Sequence, residues 1–290
     1  MLRYDIVDVF TDRPFAGNQL AVVHGAEGLS DSQLRALARE FHFSETTFPS
    51  HLATGGYAVR IFTPGGEIPF AGHPTLGTAW VLREAGVLTE QVVAQSCGAG
   101  VIEVTFGDEL VSLRVAPRDL VPCPAAVVDA VLDDLGLPGE LAGTPYLGGT
   151  GLTFLHLPVS DAAVSAARVP LRPLESYELT GLLDPLGGID VYAVTRQEAH
   201  HADVHVRMFS PGLSVPEDPA TGSSASGLGL ALAATGVLPE GGSYRISQGT
   251  EIGRPSTLHG SVVATGGVAT SVSVAGAVQP IASGQIRVPA

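Results

Sequence analysis

The chain has 290 residues, 45% of them apolar, which is enough for one large domain or two ordinary ones with a sizeable core. Its 29 acidic residues against 15 basic ones give a formal charge of −14, which argues against a nucleic-acid or anionic-membrane surface, because phosphate binding needs clustered cations. All the cations are arginine, so a Schiff-base lysine is excluded, and with it pyridoxal-phosphate enzymes and class I aldolases; a P-loop is excluded for the same reason.

In chain order, residues 4–10 and 19–24 alternate as strands. Helical spacing follows over 31–41, with Leu34, Leu37, Ala38 and Phe41 on one stripe and Ser30 or Asp31 as the cap. Residues 46–49 and 57–62 predict strands, and an apolar helix begins at about Pro74. Strands at 91–96, 100–106 and 110–115 complete the first half. A proline-rich connector, Pro117 to Pro124, leads to a helix over 125–135. The second half predicts a strand over 152–157, a helix near 174–184 and strands over 190–195 and 203–209. A second apolar helix from about Ser223 and strands over 243–248, 261–266 and 270–275 follow. Strands mixed with few helices point to an α+β fold rather than a doubly wound sheet.

Several chemistries find no support. Cys97 and Cys123 are too few for a disulfide framework or a zinc cluster. There is no G-x-G-x-x-G after a strand, no G-x-S-x-G elbow and no H-E-x-x-H. His200, His201 and His205, with Asp203, read as a surface loop rather than a metal site, because nothing completes a ligand shell. The N-terminus lacks the apolar segment of a signal peptide, and no window is long and apolar enough to span a membrane, so the expectation is a cytoplasmic protein.

The chain also repeats itself. Arg60-Ile61-Phe62-Thr63-Pro64-Gly65 recurs as Arg207-Met208-Phe209-Ser210-Pro211-Gly212, and the register holds to Pro69 and Pro216. After each copy come a Gly/Thr/Pro-rich turn and then an apolar helix, each beginning beside a Thr or Ser able to cap it, with Gly77 and Gly227 allowing close packing. Either these are two ordinary core helices, or two repeated lobes aim two helix N-termini at a shared cleft, where free N–H groups would suit a carboxylate. Three segments are polar where their apolar context disfavours it. Glu45 lies in Phe43-Ser44-Glu45-Thr46-Thr47, His73 in Ala71-Gly72-His73-Pro74-Thr75, and Asp218 with Ser223 in Glu217-Asp218-Pro219-Ala220-Thr221-Gly222-Ser223. Singly each reads as a cap or a loop residue. Together they are an acid–base inventory.

Four strings, Phe15-Ala16-Gly17-Asn18-Gln19-Leu20-Ala21-Val22-Val23, Ser44-Glu45-Thr46-Thr47-Phe48, Gly72-His73-Pro74-Thr75-Leu76-Gly77 and Glu217-Asp218-Pro219-Ala220-Thr221-Gly222-Ser223, resemble the PhzF family over nearly the whole chain. The resemblance implies the diaminopimelate-epimerase-like fold, with two pseudo-symmetric lobes that each wrap a mixed sheet around a central helix and a site in the cleft. The lobes expected are 1–118, joined by 278–290, and 125–277. It implies an isomerase without cofactor or metal, acting on a small anionic carboxylic acid similar to trans-2,3-dihydro-3-hydroxyanthranilate, and a homodimer. Glu45 would be the acid/base, His73, Asp218 and Ser223 would bind substrate and assist proton transfer, and Ser44, Gly72 and Gly222 would complete the binding site. Family members that racemise carry a cysteine pair at the helix starts. His73 and Ser223 stand there in this chain. Gln19 and Ser224 depart from the usual family residues, Pro and Ala, and neither change removes a proposed catalytic group. An epimerase of an amino-acid-like metabolite and a catalytically silent small-acid or protein-binding member remain open at this stage.

Overall fold

The computed structural model describes residues 1–51, 56–177, 186–211 and 215–290. In chain order the elements are β1 (Leu2–Val9), β2 (Asn18–Val23), α1 (Asp31–Phe41), β3 (Glu45–His51), β4 (Tyr57–Thr63), β5 (Gly66–Ile68), α2 (Gly72–Glu84), β6 (Val92–Cys97), β7 (Gly100–Phe106) and β8 (Val111–Val115). There follow β9 (Val121–Pro122), α3 (Ala125–Leu135), β10 (Tyr146–Gly148), β11 (Thr153–Pro158), α4 (Asp161–Ala166), β12 (Leu186–Glu198), β13 (His201–Phe209), β14 (Glu217–Asp218), α5 (Gly222–Ala234), β15 (Gly242–Gln248), β16 (Ser256–Thr265), β17 (Val268–Gly276) and β18 (Val278–Ile286). Strands of both orientations with few helices make the fold α+β. None of the described helices is long and apolar enough to cross a membrane.

Two compact units result, residues 1–114 with 275–290, and residues 115–274. In the first, β1 pairs antiparallel with both β18 and β2, β2 runs parallel to β3, and β3 pairs antiparallel with β4. β4 pairs antiparallel with β5 and parallel with β6, and β6 and β7 form an antiparallel pair. These strands surround α2, which packs on β1, β2, β3, β7 and β18. In the second unit β11 and β12 are parallel, β12 and β13 antiparallel, β13 and β15 parallel, and β15 and β16 antiparallel. Here α5 packs on β10, β11 and β16. Both helices have thirteen residues and bury side chains on every face, which requires a helix to be enclosed, and here strands pack around both. Gly77 shows why the inner face must be small. A Cβ there would lie 2.6 Å from Leu20 Cδ2 and 2.8 Å from Val9 Cγ2, so α2 touches β1 and β2 almost backbone to side chain.

The sequence repeat is a repeat of structure. Each copy ends a long strand, β4 or β13, which pairs antiparallel with the short strand after it, β5 or β14, and each is followed by the enclosed helix. Arg60 stacks 5.1 Å from the Phe62 ring centre and Arg207 stacks 4.9 Å from that of Phe209, because residues two apart share a strand face. The two arginines then differ. Arg60, about 40% exposed, pairs with Glu67 and Asp31 on the surface. Arg207 is only 9% exposed and makes a two-pronged pair with Glu217, Nε to Oε1 and Nη2 to Oε2, both at 2.8 Å. Its remaining Nη1 donates to the Ala167 carbonyl just past α4, at 2.5 Å.

Some sequence expectations need correction. The helix expected over 174–184 begins as a single 3-10 turn, Leu174–Ser176, and residues 178–185 lie outside those described. Six elements went unpredicted: β5, β9, β10, α4, β14 and β18, and β9 falls inside the stretch read as a proline-rich connector. Ser30 does cap α1, with its hydroxyl accepting from Gln33 N–H while the Gln33 side chain returns to the Ser30 backbone. The capping expected at the two enclosed helices is absent, since neither the Ala71 nor the Thr221 N-cap supplies a side-chain bond.

Breaking the buried pair strands a charge that exposed Arg60 does not. Arg207→Ala or Glu217→Ala should lower unfolding free energy by about 3–5 kcal/mol in urea titrations. Arg60→Ala should cost about 1 kcal/mol or less.

Candidate active site

The first unit brings Glu45 and His73 together. Glu45 opens β3 in parallel register with Leu20 of β2, and His73 is the second residue of α2. Their side chains approach to 3.5 Å, His73 Nε2 to Glu45 Oε2, with His73 5% and Glu45 16% exposed. This shelters the carboxyl group whose position the sequence left undecided between loop and pocket.

Burial holds the His73 imidazole neutral. Its pKa is pushed down from 6.5 to about 3 by desolvation, only partly offset by a hydrogen bond to the Gln19 backbone. Nε2 has no hydrogen-bond partner, so that bond belongs to Nδ1, whose N–H donates to the Gln19 carbonyl. A neutral ring protonated at Nδ1 presents a lone pair at Nε2. The face of His73 turned to Glu45 is therefore an acceptor, suited to a protonated carboxyl rather than to a carboxylate.

A buried polar chain sets the first turn of α2. Tyr57 Oη donates to Gln95 Oε1 at 2.7 Å, Gln95 Nε2 donates to Thr75 Oγ1 at 2.9 Å, and Thr75 Oγ1 donates to the Ala71 carbonyl at 2.9 Å. All three side chains are fully buried, and the expensive burial of each polar group is offset by its neighbour. Thr75 thus bonds back to a carbonyl and does not cap. Pro74 lacks an N–H, so Gly72 and His73 carry the outward amide donors at the tip of α2. Ser44 Oγ donates to buried Asn18 Oδ1 at 3.3 Å, tying the residue before Glu45 to β2.

The second unit brings Asp218 and Ser223 to the start of α5. Asp218 lies in β14, opposite Met208 of β13, and Ser223 is the second residue of α5, as His73 is of α2. Thr221 Oγ1 donates to Asp218 Oδ2 at 2.6 Å. Gly222 is the first residue of α5, matching Gly72 of α2. Ser226 Oγ donates to the Ser223 carbonyl at 2.7 Å and meets Thr150 Oγ1 at 2.5 Å. Behind this turn Ser224 Oγ donates to Asp190 Oδ2, which also meets His156 Nδ1 at 2.8 Å, all three side chains buried. Serine and histidine both contact the aspartate and not one another, so this is a structural brace and not a serine nucleophile relay.

Sequence reasoning gave no role to Asn18, Gln95, Gln248 or the Asp190–His156 pair. Each is a polar residue buried inside a strand, the one signal that could have marked it. Cys97 ends β6, and Cys123 sits in the core of the second unit with burial pushing its thiol up to about 12, so neither occupies a helix start. His201 meets Ser243 and Asp203, and His205 meets Asp161 and Glu251; no metal-holding cluster occurs among the described residues.

Residues 7–284 match the PhzC-PhzF family model, described as phenazine biosynthesis-like protein. The chain is 34% identical to the trans-2,3-dihydro-3-hydroxyanthranilate isomerase of Pseudomonas aeruginosa, over 95% of this chain and 96% of that one. It is 33% identical to an uncharacterised isomerase of Mesorhizobium japonicum, over 98% of both. The crystal structure of a Bacillus anthracis phenazine biosynthesis protein superposes with a TM-score of 0.86 at 24% identity over 99% of each chain.

The buried neutral histidine has a measurable consequence. Unfolding restores the His73 pKa to about 6.5, so between pH 6.5 and about 3 the unfolded chain binds the extra proton. The stability contributed by neutral His73 is complete above pH 6.5 and falls by about 1.4 kcal/mol per pH unit below it. The stability gap between wild type and His73→Asn should narrow on acidification, and the His73 ring resonances should not titrate between pH 8 and 5.

Proposed function

We propose, from the premise that this chain belongs to the phenazine biosynthesis-like PhzC-PhzF family of isomerases, that it moves a proton within a small cyclic or unsaturated carboxylic acid, with Glu45 as both acid and base. The supporting observation is the sheltered Glu45–His73 pair at the amide-bearing start of α2. A proton α or vinylogous to a carboxylate is weakly acidic. Its removal needs a base out of bulk water and a home for the charge that spreads through the conjugated acid.

The Glu45 carboxylate takes the proton from one carbon, and the electron pair left behind delocalises toward the substrate carboxylate. Glu45 is then a neutral acid. The Nε2 lone pair of His73 accepts from it as the 3.5 Å gap tightens, which holds the proton until it returns to another carbon on the same face. A charged His73 would instead favour the carboxylate, so the lowered pKa of the ring matters to the step. At the start of each enclosed helix, the backbone N–H groups, of Gly72 and His73 in one unit and of Gly222 and Ser223 in the other, are donors of the kind a substrate carboxylate takes. In this reading Asp218 and Ser223 also bind substrate, and Ser44 keeps Glu45 in place through Asn18.

The test is incubation with trans-2,3-dihydro-3-hydroxyanthranilate and related cyclic acids in D2O. Wild type should incorporate deuterium, while Glu45→Gln should lose about 10²–10⁴-fold in rate and still bind the acid in calorimetry. Equal incorporation by both proteins would remove Glu45 from the reaction. Chiral analysis of the product separates a shifted double bond from an inverted centre.

A further inference from the structure

The start of α5 holds a hydroxyl that sits away from the helix N–H groups, and a buried amide helps to hold it there. Thr221 is the N-cap of α5, with extended backbone, the position from which a threonine hydroxyl normally accepts a bond from the N–H two or three residues on. Here it does not. Gln248, the last residue of β15, is 2% exposed and held in register between Val206 of β13 and Ser256 of β16. One atom of its side-chain amide lies 2.8 Å from the Asp218 carbonyl oxygen and 3.2 Å from Thr221 Oγ1. A carbonyl oxygen only accepts, so that atom is the amide nitrogen, and its two hydrogens serve the two oxygens. Thr221 Oγ1 is thereby the acceptor toward Gln248, and its own hydrogen goes to Asp218 Oδ2 at 2.6 Å. Every direction in the chain follows from the one group that cannot donate.

We infer that Gln248 and Thr221 are positioning residues with a double effect: they aim the Asp218 carboxylate, and they keep the Thr221 hydroxyl off the N–H groups of α5, leaving those groups for the substrate carboxylate. The inference rests on the assignment of Asp218 and the α5 tip to the reaction proposed above. Gln248 carries no charge, and its buried side-chain nitrogen makes both of these bonds. The bond to Asp218 uses the hydroxyl hydrogen and a cap would use a lone pair, so the two exclude one another through position: the contact to a carboxylate, the stronger kind, holds Oγ1 away from the N–H groups of α5.

Three variants separate the two effects by solvent-exchange kinetics, with urea unfolding as the control for folding. Thr221→Val keeps the shape and removes the hydroxyl. It should lower kcat at least tenfold and move KM less than threefold, since nothing remains to occupy the amides. Thr221→Ser should return kcat to within about threefold of wild type. Gln248→Met frees the hydroxyl to cap the helix, so KM should rise at least fivefold while kcat also falls. Adding Thr221→Val to Gln248→Met should then bring KM back down. That reversal is one a merely structural role cannot produce. If Gln248→Met does not fold, Gln248→Glu, which loses the amide donors on ionisation, replaces it with the same expected split. A Thr221→Val enzyme with kcat within twofold of wild type, or a KM that the second substitution fails to lower, overturns the inference. Asp218→Asn distinguishes the two levels. If it exchanges protons as fast as wild type, the assignment of Asp218 fails; if it is inactive while Thr221→Val is unimpaired, only the positioning role fails.

Discussion

Enclosing a helix that is apolar on every face is the constraint from which the rest of the structure follows. Neither α2 nor α5 has a polar side to turn to water, so each must be surrounded by strands along its length. A surrounded helix still has an end, and at its N-terminus the peptide N–H groups have no partner within the helix. Most proteins satisfy them with a side chain of the cap residue. Both enclosed helices here decline that solution, one with an alanine in the cap position and the other with a threonine bonded elsewhere. The polar residues that gather at these ends are the consequence. His73 and Ser223 both occupy the second helical position, where a side chain leans back over the exposed amides.

The same enclosure sets the electrostatics. A histidine at the start of a surface helix would titrate near neutrality. At the start of α2 it sits among apolar strands and loses its proton, and the carbonyl of Gln19 fixes which nitrogen keeps one. The glutamate beside it then faces a lone pair. The chemical character of this pair comes from dehydration and tautomer, both properties of the surrounding fold and neither of them a property of the two residues alone.

Much of this was legible in the sequence, and the boundary of what was legible has physical causes. Helix α1 was read to the residue because its stripe, its cap and its capping box are all local. The enclosed helices were visible as apolar runs, and Glu45 and His73 as polar residues that such runs should not contain. The family strings placed Asp218 and Ser223. The uncapped start of α5 is not legible, because the sequence displays a threonine in the right position and cannot display that Asp218 and a glutamine 27 residues later hold its hydroxyl elsewhere. Strand β18 was missed for a related reason. Its outward residues, among them Pro280 and Ser283, give it no clean alternation, and its partner β1 lies at the other end of the chain. Arg60 and Arg207 look alike as letters, yet one is a surface residue and the other anchors the strand that carries Asp218.

The pairing of β1 with β18 also orders events in time. Translation delivers the chain from the N-terminus, so the first strand leaves the ribosome long before its partner exists. Residues 115–274 emerge whole and can close on themselves, whereas the unit holding Glu45 waits with one edge bare until Val278–Ile286 arrive. A chain ending shortly before residue 278 would thus carry a finished later half and an open earlier one, and the unsatisfied margin of β1 would be the place where chaperones, or a neighbouring chain, attach.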